Sequence, residues 1–272
     1  MDSTTSVAEK VGAAAKPAPE KPDARDRLIV ALDFPSTESA KELVDQLQGL
    51  CRWYKVGMEL YYSAGNAVVE HLRERGYDVF LDLKLHDIPN TVAGAVKTVA
   101  RAGASLLTVH AAGGEAMLRA AAAAATGPDA PRLLAVTVLT SMDAAQLTAV
   151  GVSDSPSAQV LRLAKLAKSA GIDGLVCSAE EVAAVRAAMG PESSGAVPAG
   201  GGSRSATSLS AGPLLVVPGI RPAGSAAQDQ MRVATPAEAI ARGASMLVVG
   251  RPITGADDPA KAAAAILKEM EA

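Results

Sequence analysis

The sequence predicts an α/β fold, a single-domain (β/α)8 TIM barrel, and three observations support this prediction. Short runs of apolar and β-branched residues recur eight times along the chain, at positions 28–34, 53–58, 79–85, 105–111, 133–140, 174–178, 214–218 and 246–250. A helical pattern follows each run. The runs are apolar on both faces, as are the strands of a parallel sheet covered by helices. Eight such units in about 245 residues match the size of this barrel.

The helical segments carry start and stop signals. Helical patterns cover residues 36–50, 90–102, 179–189 and 235–242, among others. Ser36 is a candidate N-cap of the first, and Gly103 and Gly243 follow the second and the fourth. A doubly wound open sheet is the alternative, but the turn after its first strand is normally Gly-rich. Residues 33–36 contain no glycine, so the barrel is favoured.

Composition excludes several functional classes. Hydrophobic residues make up 49% of the chain and allow a large core, whereas aromatic residues make up 3% and disfavour an aromatic-rich β-sandwich. The formal net charge of −3 offers no basic surface for nucleic acid, and no apolar run of about 18 residues could span a bilayer. Cys51 and Cys177 lack metal-site or disulfide spacing, so we expect reduced thiols in a cytoplasmic protein.

Two segments differ in composition from the predicted barrel domain, which covers residues 27–272. Residues 1–26 lack apolar periodicity and any signal-peptide-like apolar stretch, so we predict a disordered N-terminal tail. Residues 190–212 are rich in Gly, Ser and Ala, and we predict a flexible surface insertion because the strand–helix alternation resumes after them. Since the insertion follows a helix and precedes the seventh strand, we expect it on the amino-end face of the barrel.

Polar side chains stand at the carboxyl end of nearly every predicted strand, which is where barrel enzymes have their active sites. In chain order the strand ends carry Asp33, Lys55, Asp82 with Lys84, His110, Thr140, Ser178, Pro218 with Gly219, and Gly250 with Arg251. A purely structural barrel does not need polar groups at so many strand ends. We therefore predict an enzyme.

The third run places opposite charges in an apolar strand. Asp82 and Lys84 should point to the same face, because side chains alternate along a strand. With Lys55 and Asp87 they could form an alternating network of charges. One interpretation is a set of structural salt bridges, but buried pairs seldom add net stability. The other, which we favour, is that flanking carboxylates keep Lys84 charged and hold it as a general acid.

The last predicted strand ends in a candidate phosphate site. Loops after the seventh and eighth strands of barrels commonly bind phosphate, and Arg251 suits a bidentate contact with it. The alternative is a surface arginine paired with a neighbouring acid. The polar loop at 219–230 could close over such a phosphate as a lid. No His or Cys cluster has metal-ligand spacing, so no metal site is predicted. His110 is interpreted as a core histidine, and the alternative is a residue at a strand end that supports the site residues.

These residues lie in segments that resemble the orotidine 5'-phosphate decarboxylase family. The segments occur in family order and are Ala31-Leu32-Asp33, Lys55-Val56-Gly57, Phe80-Leu81-Asp82-Leu83-Lys84, His86-Asp87-Ile88-Pro89-Asn90-Thr91, residues 136–141 and 217–222, Asp229-Gln230 and Gly250-Arg251-Pro252. Relatives of other function share the DxKxxD core, whereas the whole ordered set is specific. The resemblance implies a barrel that converts orotidine 5'-phosphate (OMP) to UMP and CO2 in de novo pyrimidine biosynthesis, without a cofactor.

The resemblance also implies a role for each catalytic residue. Asp33 and Lys55 would bind the ribose hydroxyls, and Asp82 would lie beside the substrate carboxylate. Lys84 would protonate C6 of the pyrimidine. Loss of CO2 leaves a carbanion with no cofactor to delocalise it, so a fixed ammonium would stabilise it electrostatically.

The remaining matched residues are implied to bind the substrate or to complete a neighbouring site. The pyrimidine edge would contact Thr140 and Ser141. The 5'-phosphate would be surrounded by Arg221, Gln230, Gly250 and Arg251. The neighbouring subunit's site would receive Asp87, Ile88 and Thr91, which makes the implied enzyme a homodimer with shared active sites. No nucleic acid or membrane partner is expected.

Three rival interpretations differ from this one in testable ways. A magnesium-dependent sugar-phosphate aldolase or decarboxylase would share DxKxxD, but such relatives typically carry an acidic residue where Lys55 stands. A Schiff-base aldolase would need an uncharged Lys84, whereas Asp82 and Asp87 favour its charged form. A catalytically silent barrel that serves as a scaffold would have no use for the set of strand-end residues.

Overall fold

The computed structural model describes residues 23–192, 212–222 and 232–272. Within these ranges, eight parallel strands close into a barrel in chain order, with β8 hydrogen-bonded to β1. The strands are β1 (Leu28–Ala31), β2 (Trp53–Gly57), β3 (Asp78–Leu85), β4 (Leu106–His110), β5 (Arg132–Val136), β6 (Gly174–Val176), β7 (Leu214–Val217) and β8 (Met246–Val249). The predicted (β/α)8 barrel is therefore confirmed.

Helices surround this barrel. Those in the described ranges are α1 (Thr37–Leu47), α2 (Met58–Ala64), α3 (Asn66–Glu74), α4 (Pro89–Arg101), α5 (Gly114–Ala124), α6 (Ala144–Ala149), α7 (Pro156–Ser169), α8 (Val182–Met189), α9 (Pro236–Ala241), α10 (Arg251–Thr254) and α11 (Pro259–Glu271). Ser36 caps α1 by accepting a hydrogen bond from the Ser39 N–H, as predicted. The helix predicted from residue 179 begins at Val182, because Ser178 and Glu181 form a hydrogen-bonded turn before it.

Alternation along the strands divides the core into two layers. One set of side chains packs between the strands and the helices. The other set fills the barrel interior and consists of Ile29, Ala31, Trp53, Phe80, Leu106, Leu134, Leu214, Val216, Met246 and Val248. Lys55 is the next inward position after Trp53 on β2, and Asp82 follows Phe80 on β3. The functional side chains therefore continue the inward-facing rows of the apolar interior.

β3 departs from regular strand geometry near its carboxyl end. Its Leu81 pairs with Leu107 of β4, but Leu85 pairs with Val109, so β3 contains extra residues across this stretch. Lys84 lies in this bulge with φ of +50°, in the left-handed region that non-glycine residues rarely adopt. The regular strand predicted over residues 79–85 is therefore interrupted at Lys84.

The described ends of the chain and of the insertion lie at the opposite end of the barrel from the strands' carboxyl ends. Residues Ala24–Asp26 form a 3-10 turn with Ala24 buried, so the tail boundary predicted at residue 26 is too late. Residues 1–22 lie outside the described ranges. Glu192 and Gly212 form an isolated parallel bridge beside the start of β7, while residues 193–211 also lie outside. No helix in the described ranges is long and apolar enough to cross a membrane.

Candidate active site

A cavity of about 560 Å³ opens at the carboxyl ends of the strands. Its floor is formed by the upper inward-facing side chains of the barrel, which are Ala31, Phe80, Val136, Val176 and Val248. Its walls are lined by Gly250 and by polar residues, which include Asp33, Lys55, Asp82, Lys84, Thr140, Arg221 and Arg251. The structure thus brings together most of the residues predicted for the site, above an apolar floor of the kind that ligand pockets have.

Four charged side chains form an alternating row along one wall of the cavity. The Lys55 Nζ lies 2.8 Å from Asp33 Oδ1 and 3.7 Å from Asp82 Oδ2. The Lys84 Nζ lies 2.8 Å from the same Asp82 oxygen. The row therefore runs Asp33–Lys55–Asp82–Lys84, and opposite charges alternate along it. The side chains of Asp82 and Lys55 are nearly buried. Each of the two ammonium groups is held in place by a charge-assisted hydrogen bond with a carboxylate.

Thr108 supports this row from beneath, although it is not among the residues predicted for the site. Its hydroxyl donates to Asp82 Oδ1 at 3.0 Å and accepts the Lys84 backbone N–H at 2.8 Å. Thr108 is fully buried on β4. A threonine in an apolar strand is easily interpreted as one more β-branched core residue. The only indication in the sequence is position: Thr108 is two residues before the end of its strand and on the face that points into the barrel.

Gly57 makes room for the charged row. A Cβ at this position would lie 2.8 Å from Asp33 Oδ1, which is closer than real Cβ contacts, and 3.0 Å from Lys55 Nζ, which is tighter than most of them. The backbone of Gly57 is extended with φ of −86°, so its conformation does not demand glycine. Close approach of the two side chains therefore accounts for glycine at this position.

The phosphate-binding candidates lie in the connections after β7 and β8. Because β8 pairs with β1, this part of the cavity adjoins the Asp33 end of the charged row, and a Cβ at Gly250 would lie 4.0 Å from Asp33 Oδ2. Arg221 is buried, and its Nη1 donates to the Ile220 carbonyl at 2.9 Å. Gly250 precedes α10, and Arg251 is its first residue. Gln230, the fourth predicted phosphate residue, lies outside the described ranges, as does most of the predicted lid.

Four predicted site residues do not line the cavity of their own chain. Asp87, Ile88 and Thr91 are exposed, and the Asp87 carboxylate accepts the Ile88 N–H at 2.6 Å. Ile88 is 67% exposed, which is unusual for an isoleucine in a folded chain. Ser141 is also exposed, next to the cavity-lining Thr140.

The ends of β4 and β6, where His110 and Ser178 were predicted, contribute no reactive side chain to the cavity. Ser178 is buried and donates a hydrogen bond from its hydroxyl to Glu181. The preceding residue, Cys177, lines the cavity. Burial raises the pKa of Cys177 to about 12, so this thiol is protonated and unreactive near neutral pH. His110 stacks on His86 with ring centroids 5.1 Å apart. Burial, followed by the nearby His86 and Lys84, lowers the pKa of His110 and favours its neutral form.

Comparison with known proteins identifies the family. Residues 26–266 match the family described as Orotidine 5'-phosphate decarboxylase / HUMPS family. The chain belongs to this family. It is 54% identical over 241 residues to the orotidine 5'-phosphate decarboxylase of Anaeromyxobacter dehalogenans, a match that covers 89% of this chain and 96% of the relative. It is 49% identical over 255 residues to that of Moorella thermoacetica, covering 91% and 93% respectively.

A solved structure of the family has the same fold. The crystal structure of orotidine 5'-phosphate decarboxylase from Lactobacillus acidophilus aligns with a TM-score of 0.74 and 39% sequence identity. The alignment covers 90% of this chain and 99% of that one. The family resemblance drawn from the strand-end motifs is thereby confirmed.

Proposed function

We propose that the chain is an orotidine 5'-phosphate decarboxylase, a carboxy-lyase that converts OMP to UMP and CO2 in pyrimidine biosynthesis. The observation that carries the proposal is the Lys84 ammonium, held 2.8 Å from Asp82 Oδ2 at the edge of an apolar floor. Relatives of that name at 54% and 49% identity support it. The reaction needs no bound cofactor if a fixed cation stabilises the charge that develops on the substrate.

Lys84 is proposed to act twice in the reaction. When the bond between C6 and the carboxylate carbon breaks, its electron pair stays on C6, and the Lys84 ammonium stabilises that charge. An N–H bond of Lys84 then breaks as the C6–H bond forms, and Lys84 regains its proton from water. Because Asp82 and Thr108 fix the geometry before substrate arrives, little reorganisation is needed during the chemical step.

Three parts of the cavity are proposed to bind the ribose, the pyrimidine and the phosphate of the nucleotide. Asp33 and Lys55 would bind the ribose hydroxyls, and Thr140 with Ser141 would contact the pyrimidine edge. The 5'-phosphate would be bound by Arg221, Gln230, Gly250 and Arg251. Both guanidinium groups of this set suit bidentate hydrogen bonds with phosphate.

Assembly and location are proposed on narrower grounds. Exposed Asp87, Ile88 and Thr91 would enter the cavity of a second copy, giving a homodimer with shared active sites. The exposed isoleucine at the edge of the mouth supports this arrangement. The free, buried Cys51 and Cys177 support a cytoplasmic location, where thiols remain reduced.

The assay that tests this function follows the absorbance change as OMP is converted to UMP, with and without EDTA. We expect turnover that is unaffected by the chelator. Absence of turnover by pure, folded protein would refute the proposal. Loss of activity in EDTA would instead favour a metal-dependent decarboxylase or aldolase. That outcome is not expected, because the Lys55 ammonium already lies between the Asp33 and Asp82 carboxylates.

A further inference from the structure

A buried ion pair lies behind the cavity, and the proposed chemistry does not use it. Glu181 precedes α8, and Arg232 lies just before α9; their side chains are 4% and 9% exposed and contact each other directly. Neither residue lines the cavity. The second carboxylate oxygen of Glu181 accepts the Ser178 backbone N–H at 3.1 Å and the Ser178 hydroxyl.

Arg232 also binds the connection that follows β5. Its Nη2 donates to the Leu139 carbonyl at 2.9 Å and to the Val138 carbonyl at 3.4 Å. Leu139 and the adjacent Thr140 line the cavity on the side proposed for the pyrimidine. One guanidinium therefore joins the connections that follow β5, β6 and β7.

The same arginine is linked to the phosphate side through the backbone. Ile220 forms an isolated bridge with Ala234, and the Arg221 N–H donates to the Ala234 carbonyl at 2.9 Å. Arg221 and Arg232 thus stand near opposite ends of the β7–α9 connection, where this bridge holds the ends together. Only one residue separates Ala234 from Arg232, so a continuous path of contacts leads from Arg221 through this bridge to Arg232 and then to Leu139.

Stability alone is a weak reason for this arrangement. Desolvation of two charges often cancels their attraction, so a buried pair adds little compared with apolar residues of similar volume. What the planar guanidinium provides is several directed hydrogen bonds at once, which fixes three chain segments relative to one another. The pair is therefore better suited to positioning than to stabilisation.

We propose that Arg232 is a positioning residue that couples the phosphate side of the cavity to the pyrimidine side. A phosphate bound beside Arg221 restrains the segment before α9, and Arg232 transmits this restraint to the Leu139–Thr140 backbone. The pyrimidine contact is then ordered before the chemical step. The inference rests on the proposed function, because it assigns the two sides of the cavity to the two ends of OMP.

Kinetics with a truncated substrate tests this coupling. The double variant Arg232→Met/Glu181→Gln removes both charges, so neither is left buried alone. We expect its kcat/KM for OMP to fall by about tenfold, and its kcat/KM for orotidine, which lacks the phosphate, to fall by less than about threefold. Arg232→Lys, which keeps one donor for Leu139, should restore part of the loss. Equal losses on both substrates, or no loss on OMP, would refute the inference.

A matched control separates coupling from stability. Arg73 also binds a buried carboxylate and a backbone carbonyl, with its Nη1 at 2.7 Å from Asp78 Oδ1 and 2.9 Å from the Tyr77 oxygen. This pair lies at the amino end of β3, away from the cavity. Arg73→Met should lower the melting temperature and leave the ratio of the two kcat/KM values unchanged. If Arg73→Met also changed that ratio, the kinetic effect of the double variant would be explained by global destabilisation, and the coupling would be refuted.

Hydrogen–deuterium exchange tests the coupling without relying on turnover. The probe is ribose 5-phosphate, which carries the phosphate and no pyrimidine. In the wild-type protein we expect it to slow amide exchange across residues 137–142, and in the double variant to have no such effect. Unchanged exchange in the wild-type protein would refute the coupling even if OMP is turned over. Slowed exchange without OMP turnover would instead refute only the proposed function.

Discussion

At the scale of single residues, the candidate site depends on the backbone of Lys84 as well as on its ammonium. A left-handed conformation costs a non-glycine residue about 1–2 kcal/mol. Here it is supported by Thr108, whose hydroxyl accepts the Lys84 N–H and donates to Asp82. Strain of this kind persists where surrounding contacts determine the conformation, and it is concentrated at functional sites. One hydroxyl therefore orients both the proposed proton donor and its counter-ion.

Thr108→Val tests this role, because valine keeps the shape and removes the hydroxyl. We expect the free energy of unfolding to fall by about 1–3 kcal/mol, because the Lys84 N–H and the Asp82 carboxylate each lose a buried hydrogen-bond partner. We also expect kcat to fall by at least about tenfold as the Lys84 ammonium moves from its position. Urea denaturation and steady-state kinetics measure the two effects. Thr108→Ser should retain most activity, and a wild-type kcat in Thr108→Val would exclude the positioning role.

Gly57→Ala tests the close packing around the charged row. The added methyl would meet Asp33 Oδ1 at 2.8 Å and Lys55 Nζ at 3.0 Å, so both side chains must shift. We expect kcat/KM to fall by about tenfold or more, since misplacement of binding groups is costly. The control is Gly94→Ala on α4, where a methyl meets nothing within 4 Å. That variant should be stabilised by about 0.5–1 kcal/mol with unchanged kinetics.

At the scale of elements, the sequence predicted the centres of the strands better than their ends. The hydrophobic runs at 28–34 and 133–140 predict longer strands than the observed Leu28–Ala31 and Arg132–Val136. The observed strands are shorter because residues after them leave the sheet and line the cavity. The bulge in β3 was not predictable, since it depends on register with β4. Composition and periodicity report burial, and they do not report pairing between distant strands.

The same limit explains which site residues were missed. Charged residues in apolar strands stand out in a sequence, so Lys55, Asp82 and Lys84 were predicted. Thr108 matters through its hydrogen bonds with two residues of β3, and Gly57 through the space that it leaves for the charged row. The inward parity of Thr108 and the motif that contains Gly57 are visible in the sequence, but they do not reveal these contacts. The Glu181–Arg232 pair joins residues far apart along the chain. Only the closed barrel shows that these two residues are neighbours.

Removal of the insertion tests whether it is independent of the site. Glu192 and Gly212 already pair, and the Gly212 N–H donates to the Pro191 carbonyl at 2.7 Å. A short Gly/Ser linker in place of residues 193–211 should change the unfolding free energy by less than about 1 kcal/mol, because loop length enters only logarithmically. We expect kcat and KM to be unchanged, since these ends lie away from the mouth. A large loss of kcat would show that the segment contributes to catalysis.

At the scale of the whole molecule, one chain leaves part of its predicted site unused. Asp87, Ile88 and Thr91 point outward from the rim, while the cavity beside them contains Asp82 and Lys84. A two-fold dimer in which each rim enters the partner's mouth would bury these residues and complete both cavities. The proposed dimer is therefore expected to be required for activity.

Mixing two inactive variants tests this sharing of sites. Lys84→Ala should reduce kcat by at least about a thousandfold as the cation is lost, and Asp87→Ala should also be strongly impaired. In a mixed dimer with shared sites, one cavity has both residues and the other has neither. Random exchange of subunits should then restore about a quarter of wild-type activity. Native mass spectrometry confirms that mixed dimers form. Mixed dimers without recovered activity would exclude shared sites.

The barrel interior also contains an intrinsic spectroscopic reporter. Trp53 is the single tryptophan of the chain and is 1% exposed, two residues before Lys55 on β2. Its fluorescence therefore reports hydration of the innermost layer, whereas far-UV circular dichroism reports the surrounding helices as well. If the two signals change at the same urea concentration, the barrel and its helices unfold as one cooperative unit. If the dichroism changes first, the helices detach while the tryptophan remains dry.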